Sequence, residues 1–220
     1  MEEKPQWLIQ EVLPGLGQLN ALVKKIMAQT GATDPKEAIR LVNSGEWIVV
    51  PRQSKWREQD GVIRFSLPPT DGTTGEAWIN RLEKNGFHVS GYAKSVLCSP
   101  DFKPTSGVTT EIAVLKGMLF EDSERITKNI RNEAARRNLA TPNAEIACLI
   151  REKFTDKEIE AMGLWWIIAM HDPIKDSGGA SLLLRADRSG GGRWLSASDD
   201  TPGYRWDRED GFAFSVAQVS

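Results

Sequence analysis

The chain has 220 residues, room for one large or two small domains with cores of their own. A formal charge of -2 at pH 7 argues against a general polyanion-binding surface, so no nucleic-acid partner is expected. Two Cys and two His supply neither a disulfide framework nor a Cys/His zinc set. No apolar run approaches the ~18–20 residues of a membrane span. The opening Met-Glu-Glu-Lys lacks the positive-then-apolar order of a secretion signal, which makes the cytoplasm the default expectation unless another route displays the protein.

In chain order, Leu16, Leu19, Leu22, Val23 and Ile26 share one helical face after Pro14-Gly15, predicting a helix over 16–29. Asp34-Pro35 reads as the N-cap and first position of a second helix reaching about Asn43. Trp47–Val50 and Val62–Leu67 are strand candidates, separated from the next helix by the turn residues 68–72. Thr73-x-x-Glu76 predicts a capping box for a helix carrying Trp78, Ile79 and Leu82, stopped by Asn85-Gly86. A further helix is expected over Tyr92–Cys98, with both Cys98 and Cys148 read as free, buried thiols. The segment 99–107, with Pro100 and Pro104, is the expected domain boundary, dividing an N-terminal α+β region (1–104) from a second domain (105–220).

Beyond it, Val108–Leu115 is strand-like, and Asp122 or Ser123 should cap a helix through Ile126, Ile130 and Ala134. Arg136 and Arg137 fall at its carbonyl end, where the dipole favours cations. Thr141-Pro142 should open the next helix, and Thr155-x-x-Glu158 boxes a short third one. Leu164–Met170 is so densely apolar that it should be a central strand covered on both faces, Trp165 and Trp166 included. Leu182–Leu184, Arg193–Ala197 and Phe212–Val216 complete the strands.

The last thirty-one residues stand apart. Gly190–Gly192 permit a tight entry into a strand, and Phe212, Phe214 and Val216 alternate as a half-buried closing strand should. Between them small and polar residues are interrupted by Trp194, Leu195, Pro202, Trp206 and Phe212, the pattern of a loop pinned to a scaffold with its other side chains outward.

The run Gly-Gly-Arg-Trp-Leu-x-Ala-x-x-x-x-Pro-x-x-Arg-Trp-x-Arg-x-x-Gly-Phe-Ala-Phe over 191–214 resembles the variable region of diversity-generating retroelement target proteins. The phrases at 107–117, 141–151 and 163–171 are similar to the same family. That resemblance covers about residues 105–220. It implies an α+β fold whose C-terminal domain is C-type lectin-like (strand, helices, then antiparallel strands), in a branch resembling the formylglycine-generating enzymes. It also implies that adenine-directed mutagenesis varies residues reachable from Asn codons. Such types stand at Ser196, Ser198, Asp199, Asp200, Tyr204, Asp207 and Asp210; Glu209 is not reachable in that way. The formylglycine-type sequences have Gly-Phe-Arg where this chain has Gly211-Phe212-Ala213.

The expectation is a non-catalytic binding protein for a macromolecular ligand, a protein before other classes, contacted by Arg185, Asp187, Ser196, Ser198, Asp199, Asp200, Tyr204, Asp207 and Asp210. Trp194, Leu195, Trp206, Phe212 and Phe214 would form the scaffold, with Arg205 and Arg208 bracing the loop. Replacing Ser196, Ser198, Tyr204 and Asp207 together should then leave the melting temperature nearly unchanged. The alternatives are an enzyme on a formylglycine-generating-enzyme-like fold and an adaptor docking through its N-terminal helices.

No catalytic residue, metal or cofactor is predicted. His171-Asp172 precedes Pro173 and reads as a strand-end imidazole bonded to a turn. Asp172-Pro173-Ile174 lacks the second ligand of a sugar-binding calcium tripeptide. Gly178-Gly179 and Gly190–Gly192 do not open helices, so neither cradles phosphate. Lys128, Arg131, Arg136 and Arg137 read as a solvated helix face.

Overall fold

A computed structural model describes residues 21–217 apart from 29, 47–53, 177, 189 and 190. Leu16 and Leu19, the strand expected at Trp47–Val50, and Gly190 lie outside the described residues. The protein is mixed α and β, and its chain divides into two compact units at 53/54.

The first unit contains α1 (helical at 21–28 and 30) and α2 (Pro35–Asn43). As the sequence predicts, Asp34 caps α2, its carboxylate accepting the N–H groups of Lys36 and Glu37 at 2.8 and 3.0 Å. On the apolar face of α1, Leu22 is exposed, while Val23 and Ile26 are half-buried.

The second unit is built on a ten-stranded sheet. Its strands are β1 (Arg57–Gln59), β2 (Val62–Ser66), β3 (His88–Val89), β4 (Glu111–Lys116), β5 (Leu139–Ala140), β6 (Trp166–Ala169), β7 (Ile174–Lys175), β8 (Ser181–Asp187), β9 (Trp194–Asp199) and β10 (Asp210–Val216). They run in the order β1-β2-β4-β10-β6-β8-β9-β3, with β5 beside β10 and β7 beside β8. Only the pairings of β10 with β6 and of β3 with β9 are parallel among those described.

This topology moves the expected domain boundary. β2 pairs with β4, and β3 with β9, so residues 54–104 belong to the same sheet as the C-terminal half. The prolines near residue 104 mark a crossing within one domain, because the backbone there remains paired: Gly72 donates to the Thr105 carbonyl and Gly107 to that of Thr70.

Strand periodicity assigns the two faces. On one face Ile63, Phe65, Ile112, Val114, Ile167, Ala169, Leu184, Ala186 and Leu195 form the larger core. It is covered by α3 (Gly75–Lys84), α4 (Gly91–Leu97), α6 (Ile146–Lys153) and α7 (Asp156–Ala161). Gly75 allows α3 to meet α4: a Cβ there would lie 1.7 Å from the Leu97 carbonyl oxygen. On the other face Val62, Ala113, Leu115, Ile168, Leu183, Phe212 and Phe214 pack with Ile130 and Ala134 of α5 (Thr127–Arg136) and with Trp206. β10 is therefore buried on both sides, where the sequence pattern suggested one.

Several ends differ from expectation. The cap of α3 is Thr74, one residue on, because the Thr73 hydroxyl is engaged by Asp71. α6 starts at Ile146, after a turn in which Asn143 accepts the Glu145 N–H at 3.1 Å. The capping box of α7 is present as read. Cys148 is buried, whereas Cys98, at the end of α4, is exposed. α5 follows Ile126 and has no side-chain cap, since Asp122 is paired with Arg125 at 2.8 Å.

Candidate functional site

The uncapped start of α5 is what positions the C-terminal loop. Its free N–H groups are satisfied by that loop: Thr127 donates to the Tyr204 carbonyl at 3.3 Å and Lys128 to that of Pro202 at 3.0 Å. Trp206 returns the interaction twice. Its backbone N–H reaches the Arg125 carbonyl at 3.1 Å, and its indole N–H donates to the Thr127 hydroxyl at 3.0 Å. Its ring sits edge-on to Phe212 (5.5 Å) and Tyr204 (4.6 Å). Gly117 lets the turn after β4 approach the loop, where a Cβ would fall 2.4 Å from the Asp207 carbonyl.

The bracing arginines are not those expected. Arg205 and Arg208 are exposed and make no side-chain hydrogen bond among the described residues. Arg125 instead donates to the carbonyls of Gly117 (2.9 Å) and Phe120 (3.0 Å). Arg131, read as solvated, reaches the carbonyls of Met170 and His171, each at 3.1 Å, and Asp200 at 2.9 Å. Regular helix spacing gave no hint of either role, since both depend on what the loop brings alongside.

The nine proposed contact residues divide into two layers. Arg185, Asp187, Ser196 and Ser198 lie on the same face of β8 and β9, with Arg185 opposite Ser196 and Leu183 opposite Ser198. The Arg185 guanidinium lies over the Trp166 ring at 3.5 Å and bonds Ser198 Oγ at 2.9 Å and Asp187 Oδ2 at 3.2 Å. Asp187, Ser196, Ser198 and Asp210 are buried, which corrects the expectation that their side chains face outward. The physical reason is strand alternation: Ser196 shares the Arg185 face of β9, and because β9 runs to Asp199, two residues further than expected, Ser198 falls on that face as well, beneath the Arg185 guanidinium. Asp200 is also withdrawn, its side chain 8% exposed against Arg131. Arg185 and Tyr204 are half-buried; Asp199 is half-buried and accepts the Thr201 N–H; Asp207 is exposed. Of the proposed scaffold, Trp206, Phe212 and Phe214 are buried, while Trp194 is half-exposed and stacks on His88 at 4.6 Å.

The electrostatics of the buried layer are strained. Burial lowers the Arg185 pKa, opposed by the Asp187 and Asp210 carboxylates. Burial drives the Asp210 carboxyl up to about 7, helped by Asp207 and Glu209 and opposed by the Asp207 N–H and Arg185. Arg185 Nε and Asp187 Oδ1 are buried without a hydrogen-bond partner among the described residues. Burial also raises Asp200, with Arg131 pulling the other way.

Sequence reasoning missed the two tryptophans beside this set. Trp165 is 48% exposed and Trp166 half-buried, where both were expected in the core. Trp165 precedes β6 and its backbone is still bonded on both sides, to Glu209 at 2.9 Å and Arg188 at 3.2 Å, but its side chain turns out of the core and lies under the Arg188 guanidinium at 4.2 Å. Trp165, Trp166, Asp207, Glu209 and Asp210 line a hollow of about 230 Å³.

His171 sits elsewhere, beside a shallow 350 Å³ depression. Its Nε2 accepts the Leu184 N–H at 2.9 Å, leaving Nδ1 to donate to the Asp172 carbonyl at 2.6 Å. Burial pulls its pKa down to about 4, so the neutral ring is a structural link between β8 and the turn after β6. Burial pushes the Cys148 thiol well above its ordinary value. Among the described residues no group of three or more His, Cys, Asp or Glu is arranged to hold a metal ion, and no helix is long and apolar enough to cross a membrane. Comparison with protein-family models, curated proteins and solved structures finds no match to this chain.

Proposed function

We propose that the protein is a non-catalytic binding protein of the diversity-generating retroelement target class, with a C-type lectin-like arrangement over residues 105–220. The observation that carries this reading is the loop at 200–209. Its backbone caps α5 and its Trp206 ring is buried, yet Tyr204 and Asp207 reach solvent from the same segment. Fixing a loop from beneath removes much of its entropy before any ligand arrives. Support for the lectin-like part comes from element order: β4, helices, then antiparallel β6, β8 and β9, with β10 returning beside β4. Support for a non-catalytic role comes from His171, with both ring nitrogens bonded to backbone, and from the interred Cys148.

The ligand contact is accordingly narrower than the full set of nine. Arg185, Tyr204 and Asp207 form its accessible part; Ser198 and Asp187 hold Arg185, Asp210 accepts the Asp207 N–H, Ser196 and Asp200 are withdrawn beside them, and Asp199, opposite Leu182, sits on the other face of β9. The test is the DNA around the gene. The expected result is a near-repeat of the final hundred or so bases, differing at adenines, beside a reverse transcriptase; a locus without such a repeat overturns the reading.

A further inference from the structure

The hollow lined by Trp165, Trp166, Asp207, Glu209 and Asp210 combines indole walls with carboxylates. Its volume of about 230 Å³ falls below the ~300–1,000 Å³ of small-molecule pockets, and suits one projecting side chain better than a free metabolite. Both indoles already lie beside guanidinium groups, Arg185 at Trp166 and Arg188 at Trp165. Those two charges are matched, by Asp187 at 3.2 Å and Glu160 at 3.3 Å. Asp207 and Glu209 make no salt bridge among the described residues, whereas the buried Asp210 accepts the Asp207 N–H, is drawn toward its protonated form and has Arg185 nearby, so the uncompensated negative charge of the hollow lies at Asp207 and Glu209. Its carboxylates do not form a metal-holding group. A cation with an apolar stem satisfies both features at once, the charge meeting carboxylates and the stem covering indole.

We propose that this hollow receives a lysine or arginine side chain projecting from a protein ligand. The inference rests on the binding role proposed above and assigns its chemistry. Asp207 and Glu209, exposed at the rim, draw the cation in, and Trp165 and Trp166 supply the apolar contact.

The probes are N-acetyl-arginine amide and N-acetyl-lysine amide, with the uncharged N-acetyl-norleucine amide as control. They are titrated into the full chain while the indole N–H resonances of Trp165 and Trp166 are followed. The expected result is saturable shifts at both indoles with the two cationic amides and none with the norleucine amide. Asp207→Asn/Glu209→Gln should retain the parental melting temperature and require about tenfold more ligand for half-saturation, the loss of two charge contacts. Absence of saturable shifts with the parent, an equal response to norleucine amide, or undiminished binding by the double variant would each overturn the proposal. A gene-adjacent repeat without cation binding refutes this inference alone, whereas cation binding without the repeat refutes the retroelement reading alone.

Discussion

Trp206→Ala separates a pinned loop from a merely adjacent one. The indole is 4% exposed, packs edge-on against Phe212 and Tyr204, and donates to Thr127 at the start of α5. Truncating a buried tryptophan costs about 3–5 kcal/mol through lost burial and the cavity left behind. At ~2–4 °C per kcal/mol for a chain of this size, the melting temperature should fall by roughly 6–20 °C. Trp206→Phe retains most of the ring but deprives Thr127 of its donor, for about 1–2 kcal/mol. Far-UV circular dichroism during urea and thermal unfolding reads both without depending on the removed fluorophore. Asp207→Ser, at an exposed position of the same loop, should stay within about 0.5 kcal/mol of the parent. If Trp206→Ala melts within a degree or so of the parent, or Asp207→Ser costs as much, the loop is not held as described.

Ser198→Ala should destabilise by about 1–3 kcal/mol, measured by urea unfolding, because it removes a partner of the half-buried Arg185; the four-fold replacement including Ser196 and Ser198 should therefore no longer be neutral. Arg151→Met should leave Asp156, 36% exposed, without its ion partner and the carbonyls of Asp187 and Phe154 without their donor, the orphaned carbonyls setting the cost at about 2–4 kcal/mol in the same assay. Gly75→Ala should force α3 from α4 and lower the melting temperature by an amount corresponding to at least 1–3 kcal/mol, roughly the cost of overpacking. For pH, Asp210 is protonated further into the neutral range when folded, so its contribution is fully present below the unfolded value of 3.8 and lost as pH rises to about 7; His171 acts oppositely, its contribution present above 6.5 and lost as pH falls to about 4. Asp210→Asn should therefore stabilise the protein at pH 8 and steepen its loss of stability between pH 6.5 and 4; parallel stability curves for variant and parent would refute the assignment.

What could be read from the sequence was local. Asp34-Pro35, Thr155-x-x-Glu158 and Asn85-Gly86 each act within a turn of themselves, and each ends or starts a helix as its side chain dictates. The central position of β6 was legible from unbroken hydrophobicity. The domain boundary was not, because Pro100 and Pro104 advertise a break while the pairings of β2 with β4 and β3 with β9, remote in sequence, join the two sides. For the site, the aromatic anchors Trp206, Phe212 and Phe214 were legible by type and spacing. The depth of Ser196, Ser198, Asp187 and Asp210 was not, since polar composition says nothing of an arginine lying across a strand.

That arginine changes what variation at this surface would entail. Exposed positions such as Asp207 are free to change because only solvent surrounds much of their side chains. Ser198 and Asp187 instead supply the only two side-chain hydrogen bonds of Arg185 among the described residues, while its Nε and the Asp187 Oδ1 are already unsatisfied. A larger residue at 198 would have to displace the guanidinium from Trp166, moving an occupied cation from one indole toward solvent or ligand. Sequence change in the buried layer would thus alter recognition through the placement of Arg185, whereas change at the loop surface would alter it by direct contact. The two routes carry different stability costs: about 1–3 kcal/mol for an orphaned buried polar group against about 0.5 kcal/mol for an exposed substitution. A diversified surface built on this sheet would therefore accumulate tolerated changes at 207 faster than at 198, even were both codons equally mutable.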